Sequence, residues 1–313
     1  MRRLLTERAA LYKKIRQYFD NAGVTEVVTP ALSFAGNTDA AIESFVCHSD
    51  SYSAPLYLHT SPEFFMKRLL VEGSGSIYQI CNVFRSEEQG RYHNPEFAML
   101  EWYRLDYDYR QLMQDVEHLL NTLLDDNQQT PVVYRSYAQL FESFSVNPFT
   151  ADIEQLKAVV FANAIDVYKP ETLNRQQWLD LMMMELIEPA MQFNAMTFVY
   201  DYPADQASLA KLRNDAGVMV AERFELYWQG MELANGFTEL TDADEQQRRF
   251  EKDLLKRQAN GQSRIKPDDK FITALRKGMP VCSGVALGIE RLLMILLKQE
   301  RLNQVMPFGF DQV

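Results

Sequence analysis

The stretch from residue 77 to residue 105 constrains the fold of this 313-residue chain more than any other. Its first run, Ile77 to Arg85, is apolar and rich in β-formers, and its second run, Glu96 to Leu105, is rich in aromatic residues. Each run is typical of a strand. Gly90 and Pro95 lie between the two runs and favour a loop. The sequence therefore predicts two strands that are joined by a polar loop.

One face of the second predicted strand combines rings with a carboxylate, because alternate side chains of a strand point the same way. Its members are Phe97, Met99, Glu101 and Tyr103. An unpaired buried carboxylate is costly, so this face favours a site that stacks a flat ring and binds a cation. Arg85, at the end of the first strand, suits an anion, because arginine binds phosphate and carboxylate in bidentate fashion. A hairpin with a solvated, charged tip is the structural alternative.

Residues 222–242 form a second informative stretch. Phe224 to Trp228 and Met231 to Leu233 have the composition of strands, and the two residues between them favour a tight turn. That turn would bring Glu225 and Glu232 together on one face, where like charges repel unless a cation lies between them. Magnesium prefers carboxylate oxygens together with substrate phosphates, so the pair predicts a site for ATP and magnesium. A solvated sheet face is the alternative.

Two further segments predict helices with a charged side chain in the first turn. Ser61 suits an N-cap and Pro62 the first helical position, and Glu63 would then interact favourably with the helix dipole. Residues 278–297 have the pattern of a strand, a glycine-rich turn and a buried helix. Arg291 would lie in the first turn of that helix, where a cation is poorly placed unless it meets an anion.

The remaining segments predict structural elements rather than functional sites. The first residues form an amphipathic helix that Gly23 ends, and residues 108–124 form another. Residues 125–195 contain prolines that mark breaks, with helices between them. Residues 243–266 are highly charged, which favours an exposed helical excursion.

Composition limits the class of protein. Hydrophobic residues make up 47% and charged residues 24% of the chain, as in an ordinary soluble domain, and no apolar run is long enough to span a bilayer. The first residues do not form a signal peptide, so we expect a cytoplasmic protein. A net charge of −11 argues against a large RNA-binding surface. The cysteines and histidines match no disulfide framework and no metal-ligand spacing.

The loop and second strand, FRSEEQGRYHNPEF, resemble motif 2 of the class II aminoacyl-tRNA synthetases, and most closely that of the lysyl enzyme. GRYHNPEFAMLEWYR is closer still to the elongation factor P lysine ligase family, a shortened relative of lysyl-tRNA synthetase. Residues 23–32 resemble motif 1, in which a proline lies at the dimer interface, and residues 284–297 resemble motif 3. The resemblance implies an α+β fold: an antiparallel β-sheet flanked by helices. It also implies one catalytic domain over residues 1–313, without an N-terminal anticodon-binding domain.

The resemblance also implies roles for individual residues. The catalytic arginines would be Arg85, which bridges the amino acid carboxylate and the α-phosphate, and Arg291, which binds the γ-phosphate. Phe97 would stack on adenine and Glu87 would contact its amino group. ATP would be bound by Arg85, Ser86, Glu87, His93, Asn94, Phe97, Glu225, Leu226, Gly288 and Arg291. The amino acid would be bound by Ser61, Pro62, Glu63, Glu101, Tyr103, Glu232, Asn235, Phe237 and Glu239. Mg²⁺ would be held by Glu225 and Glu232.

Several carboxylates in the amino acid pocket match a substrate with two amines, so lysine or (R)-β-lysine is expected. Ala234 and Ala286 stand where the synthetase commonly has glycines, which favours a lysine isomer with a shifted amine. We expect an ATP-dependent ligase that acts on elongation factor P, forms a homodimer and does not use tRNA. A shortened lysyl-tRNA synthetase and a catalytically inactive regulatory paralogue are the alternatives.

Overall fold

The structure of the protein is a computed structural model, and it is described here for residues 1–124 and 130–313. Its α-helices are α1 (Arg2–Asn21), α2 (Glu63–Val71), α3 (Tyr109–Leu123), α4 (Tyr137–Phe141), α5 (Ile153–Ala162), α6 (Arg175–Met182), α7 (Ala243–Ala259), α8 (Asp269–Gly278) and α9 (Ile289–Leu297). Its strands are β1 (Thr25–Glu26), β2 (Leu32–Ser33), β3 (Val46–Cys47), β4 (Leu56–Leu58), β5 (Ile77–Phe84), β6 (Glu96–Leu105), β7 (Val132–Ser136), β8 (Met196–Pro203), β9 (Leu212–Asp215), β10 (Val218–Trp228), β11 (Met231–Thr238) and β12 (Cys282–Gly288). Short 3₁₀ turns and one π-helical turn, Met183–Ile187, complete the regular structure.

The described residues group into two compact units. The first contains residues 1–124 and 236–313, and the second contains residues 130–235. Strand β11 begins in the second unit, and its last residues belong to the first. The prediction of one catalytic domain over residues 1–313 stays a prediction.

In the first unit, β1, β5, β6 and β12 are hydrogen-bonded in that order. β5 and β6 pair antiparallel, and so do β6 and β12, whereas β1 pairs parallel with β5. The register sets Glu101 between Gln79 on β5 and Ala286 on β12. A separate small sheet has the strand order β2–β4–β3.

Local sequence explains the helices of the first unit. Helix α3 starts with a capping box, in which Asp108 accepts a hydrogen bond from the amide of Gln111 and the Gln111 side chain binds back to the amide of Asp108. Its leucines at helical spacing are buried, as predicted. Helix α1 packs on the sheet through Phe19, whose ring stacks on Tyr78 of β5 at 4.3 Å between centroids.

In the second unit, β11, β10, β8 and β7 are neighbours in that order. Strand β9 pairs with the first residues of β10, from Val218 to Ala221. The two-residue turn between β10 and β11 forms as predicted, with positive φ at Gln229 (52°) and Gly230 (73°). β7 pairs parallel with β8, so the mostly antiparallel strands include a parallel pair in each unit. Ring contacts between Tyr137 of α4 and Tyr202 of β8, at 4.9 Å, cover this sheet.

Three local predictions need correction. Helix α2 begins at Glu63, with Pro62 at the cap position, although the Ser61 hydroxyl does accept a hydrogen bond from the Glu63 amide at 3.0 Å. The glycines of residues 284–288 lie inside β12 rather than in a turn, because the strand must continue to pair with β6. The charged segment 243–266 is helical only as far as Ala259, and the helix is not wholly exposed, since Arg257 is buried.

The segment at 125–195 was predicted as helices separated by proline breaks. Its described part contains α4, α5 and α6, together with β7, which the sequence reading missed. Residues 125–129 lie outside the described residues. No helix in the described ranges is both long and apolar enough to cross a membrane.

Candidate active site

The predicted acidic face of β6 is buried in the first unit. Met99, Glu101 and Tyr103 are each less than 5% exposed, and Phe97 is half-buried. The Ser61 hydroxyl donates a hydrogen bond to Glu101 Oε2, and the Tyr103 hydroxyl donates to Oε1, both at 2.7 Å. Burial raises the pKa of Glu101 to about 7, helped by the nearby charge of Glu63 and opposed by these hydrogen bonds.

A buried cation that the sequence reading missed lies beside this face. Lys67, in α2, is 1% exposed, and its Nζ lies 2.5 Å from Glu63 Oε1 and 2.5 Å from Glu239 Oε2. The rings of Phe237 and Phe271 lie 5.2 and 5.8 Å from the same nitrogen. Burial lowers the pKa of Lys67, but the attraction of Glu239 and Glu63 outweighs it, so the pKa is raised and the ammonium is retained.

Glu239 is the most deeply buried of the predicted site carboxyls. Its side chain is fully buried, and neither oxygen accepts a hydrogen bond of good geometry from the residues that the structure describes, despite the short contact with Lys67. Burial raises the pKa of Glu239 to about 8; the attraction of Lys67 opposes this, and the charges of Glu63 and Glu101 add to it. Glu239 therefore retains acceptor capacity that a ligand amine could use.

Strand β12 carries Gly284 directly opposite Tyr103 of β6. A Cβ added at Gly284 would lie 2.5 Å from Glu239 Oε1 and within 3 Å of the Tyr103 ring. No side chain fits at this distance, so the close approach of the strand to the two site residues requires glycine.

The motif 2 arginine is held at the end of β5. Arg85 Nε donates to the carbonyl of Thr60 at 3.3 Å, and Nη1 donates to Glu88 Oε1 at 2.9 Å. Its guanidinium carbon lies 5.2 Å from the centre of the Phe97 ring. Arg85 thus pairs with Glu88, while the neighbouring Glu87 is exposed.

Arg291 lies in the first turn of α9, as predicted, and Gly288 caps that helix. Arg291 Nη2 donates to His93 Nε2 at 2.8 Å, and its Nε donates to the carbonyl of Tyr92 at 3.3 Å. Burial, followed by the positive charge of Arg291, lowers the pKa of His93, which suits a neutral ring that accepts the hydrogen bond. The structure therefore brings Arg291 and His93 together.

Asn94, which the resemblance assigns to the ATP site, makes two hydrogen bonds within the first unit. Its Nδ2 donates to the carbonyl of Glu96 at 2.6 Å, and its Oδ1 accepts from the amide of Phe310 at 3.2 Å. These contacts hold the end of the motif 2 loop against the C-terminal segment.

In the second unit, Glu225 is the centre of a hydrogen-bond network. Its Oε2 accepts from the hydroxyls of Tyr202 and Tyr227, each at 2.6 Å. Its Oε1 accepts from Arg223 Nη2 and, at 3.3 Å, from Asn235 Nδ2. A carboxylate offers about four lone-pair positions, so this network uses all of them.

The hairpin places Glu232 across from Tyr227, on the face that carries Glu225. Burial raises the pKa of Tyr227 well above its usual value, with Glu225 and Glu232 among the charges that add to it. Leu226 is fully buried, so its side chain packs in the core. The part of the chain that the structure describes has no group of three or more His, Cys, Asp or Glu side chains able to hold a metal.

Comparison with known proteins identifies the family. The family model for class II tRNA synthetases (D, K and N) matches residues 1–312. The chain is 46% identical to an elongation factor P–(R)-β-lysine ligase from Hamiltonella defensa, over 98% of this chain and 95% of that protein. It is 45% identical to proteins of the same name from Salmonella arizonae and Edwardsiella ictaluri, with the same coverage. The chain belongs to the class II tRNA synthetase family, and within it to the group of the elongation factor P–(R)-β-lysine ligases.

Proposed function

We propose that the protein is an ATP-dependent ligase that activates lysine or (R)-β-lysine as an adenylate and transfers it to a lysine side chain of translation elongation factor P. The names of relatives that are 45–46% identical over 98% of the chain support the acceptor and the amino acid. The class II family supports the use of ATP.

An acidic pocket in the first unit indicates which class of substrate the protein binds. Glu63, Glu101 and Glu239 supply three carboxyl groups, and Lys67 supplies one ammonium in direct contact with two of them. A diamine brings two positive charges to this excess of acid, whereas an acidic side chain would be repelled. Ala286 pairs with Glu101 across the strands, so its methyl group is placed to select the position of the second amine.

The reaction that we propose has two balanced steps. An oxygen of the amino acid carboxylate attacks the α-phosphorus of ATP, and the bond to pyrophosphate breaks, which leaves the aminoacyl-adenylate. The acceptor amine then attacks the acyl carbon, the bond to AMP breaks, and a proton is lost as the amide forms. Neither step needs a nucleophilic side chain, because positioning and charge stabilisation lower the barrier.

The arginines have distinct roles in this proposal. Arg85 bridges the amino acid carboxylate and the α-phosphate, and Arg291 binds the γ-phosphate. His93, which accepts a hydrogen bond from Arg291, orients that guanidinium. Phe97 stacks on adenine and Glu87 contacts its amino group. The remaining ATP contacts that we propose are those of Ser86, Asn94, Leu226 and Gly288.

Magnesium accompanies ATP in this proposal, and Glu225 with Glu232 would hold it. The donor set tests that idea: every acceptor position of Glu225 is in use, and the longest of its hydrogen bonds comes from Asn235 at 3.3 Å. Glu225 would bind the ion directly only after one donor leaves. When bound, the ion would neutralise phosphate charge.

We propose that residues 1–313 act as one catalytic domain, because the family model spans both units. A cytoplasmic homodimer that does not use tRNA completes the proposal. The resemblance of residues 23–32 to motif 1, in which a proline lies at the dimer interface, supports the homodimer. Val28, two residues before Pro30 in this stretch, is 91% exposed.

Incubation of the protein with ATP, Mg²⁺, (R)-β-lysine and purified elongation factor P tests the proposal. Mass spectrometry should show a gain of one lysyl residue on one acceptor lysine, and an acceptor with that lysine changed to arginine should stay unmodified. Transfer to tRNA without modification of the acceptor protein would contradict the proposal.

A further inference from the structure

Helix α7 ends in a buried arginine that holds a distant loop. Arg257 is 1% exposed, and its Nη2 donates to Glu43 Oε2 at 2.6 Å. Its Nη1 donates to the carbonyl of Asp39 at 3.1 Å, and its Nε donates to that of Ser263 at 3.3 Å. A buried guanidinium is stable only when its donors are paired. These contacts therefore tie the end of α7 to the segment 36–44.

The loop after α7 strengthens the same connection. Gln262 Nε2 donates to the carbonyl of Ala40 at 2.9 Å. The Gly36 amide donates to the carbonyl of Lys266 at 3.1 Å, and a Cβ on Gly36 would lie 2.7 Å from Ile265 Cγ2. This close approach requires glycine, so the loop and the segment 36–44 are built to fit each other.

The segment 36–44 in turn supports the motif 2 arginine from two sides. The carbonyl of Glu43 accepts a hydrogen bond from the amide of Ser86 at 3.0 Å. On the other side, Asn37 Nδ2 donates to Thr60 Oγ1 at 3.0 Å, and the carbonyl of Thr60 accepts from Arg85 Nε at 3.3 Å. Thr60, whose carbonyl binds the Arg85 guanidinium, and Ser86, the next residue in the chain, are therefore both hydrogen-bonded to this segment.

We infer that Arg257 is a positioning residue for adenylate formation: it fixes the segment 36–44, which fixes Ser86 and Arg85. The inference rests on the proposed function through the role of Arg85. It gives the charged segment 243–266 a task that its sequence did not indicate. A misplacement of about 1 Å far from the chemistry can cost roughly 100-fold in rate, so a remote support of this kind has a measurable effect.

Arg257→Met removes the donors and keeps an unbranched apolar side chain. We expect the rate of adenylate formation, normalised to active sites by a burst of pyrophosphate release, to fall by about 10- to 100-fold. Hydrogen–deuterium exchange in a peptide that contains Ser86 should become faster, because its amide bond to Glu43 loosens. Lys256→Met, a change at the exposed neighbour in the same helix, should alter neither quantity.

A role in stability alone would lower the melting temperature without changing the normalised rate or the exchange at Ser86. If Arg257→Met does not fold, Glu43→Gln weakens the same ion pair, leaves the backbone carbonyl in place and should shift both quantities in the same direction. If the wild type is active and the normalised rates of these variants lie within twofold of its rate, the inference about Arg257 is wrong and the proposed function is unaffected. A wild type that forms no adenylate refutes the proposed function instead.

Discussion

Lys67→Met is expected to destabilise the first unit strongly, because it removes the ammonium that two buried carboxyls contact. The Lys67 side chain is 1% exposed, and it lies 2.5 Å from both Glu63 and the fully buried Glu239. Removal of one partner from a buried ion pair costs about 3–5 kcal/mol. This corresponds to roughly two to three and a half orders of magnitude in the unfolding equilibrium constant. The loss should be smaller at pH 6 than at pH 8.5, because protonation of Glu239 relieves part of the unpaired charge.

Chemical denaturation, followed by fluorescence and circular dichroism, measures this change. Lys277→Met is the matched control: its ion pair with Glu72 is exposed on both sides, and such pairs contribute about 0–1 kcal/mol. The double variant Lys67→Met with Glu239→Gln should recover part of the loss, since the buried charge is gone. Equal destabilisation by Lys67→Met and Lys277→Met would refute the reasoning.

Three further predictions concern the site. Gly284→Ala should raise the Kd for the diamine at least about tenfold, because its methyl group would collide with Tyr103 and Glu239; calorimetry should show ATP binding unchanged, and an unchanged diamine Kd would contradict the packing. Arg291→Ala should slow adenylate formation by roughly 100- to 1000-fold without loss of thermal stability, and near-normal turnover would refute its assigned role. Burial raises the pKa of Glu101 to about 7 and that of Glu239 to about 8. Both carboxyls bind more protons in the folded state, so the stability of the unliganded protein should fall as pH rises from about 5 to 8. The affinity for the diamine should rise between pH 6 and 8.5, and a diamine Kd that calorimetry finds constant over this range would contradict the reasoning.

Much of the fold followed from local rules. Strict alternation placed Glu101 and Tyr103 on one face of β6, and a two-residue turn with positive φ at Gly230 gave the β10–β11 hairpin. The backbone geometry of a few consecutive residues decides both features, so the sequence carries the information. The boundaries of α2 and β12 were less accurate. Helix α2 begins one residue later than predicted, and pairing with β6 extends β12 through its glycines.

The features that sequence reading missed depend on contacts between distant residues. Lys67 stands four positions after Glu63 in α2, a spacing that could have suggested an ion pair. Its second partner, however, is Glu239, whose amide is hydrogen-bonded to the carbonyl of Cys282 in β12. In the sequence, Arg257 is one of many charged residues in a predicted exposed helix, and only the fold shows that it pairs with Glu43. The requirement for glycine at 284 likewise arises only from the approach of another strand.

Exchange of labelled pyrophosphate into ATP tests the central claim most directly. Purified protein with Mg²⁺ should catalyse amino-acid-dependent exchange with (R)-β-lysine or lysine, and not with glutamate or leucine, because the acidic pocket requires two amines. Arg291→Ala should slow the exchange by roughly 100- to 1000-fold. Absence of exchange with every lysine isomer, from a protein that still binds ATP, would contradict the claim that this site forms an aminoacyl-adenylate.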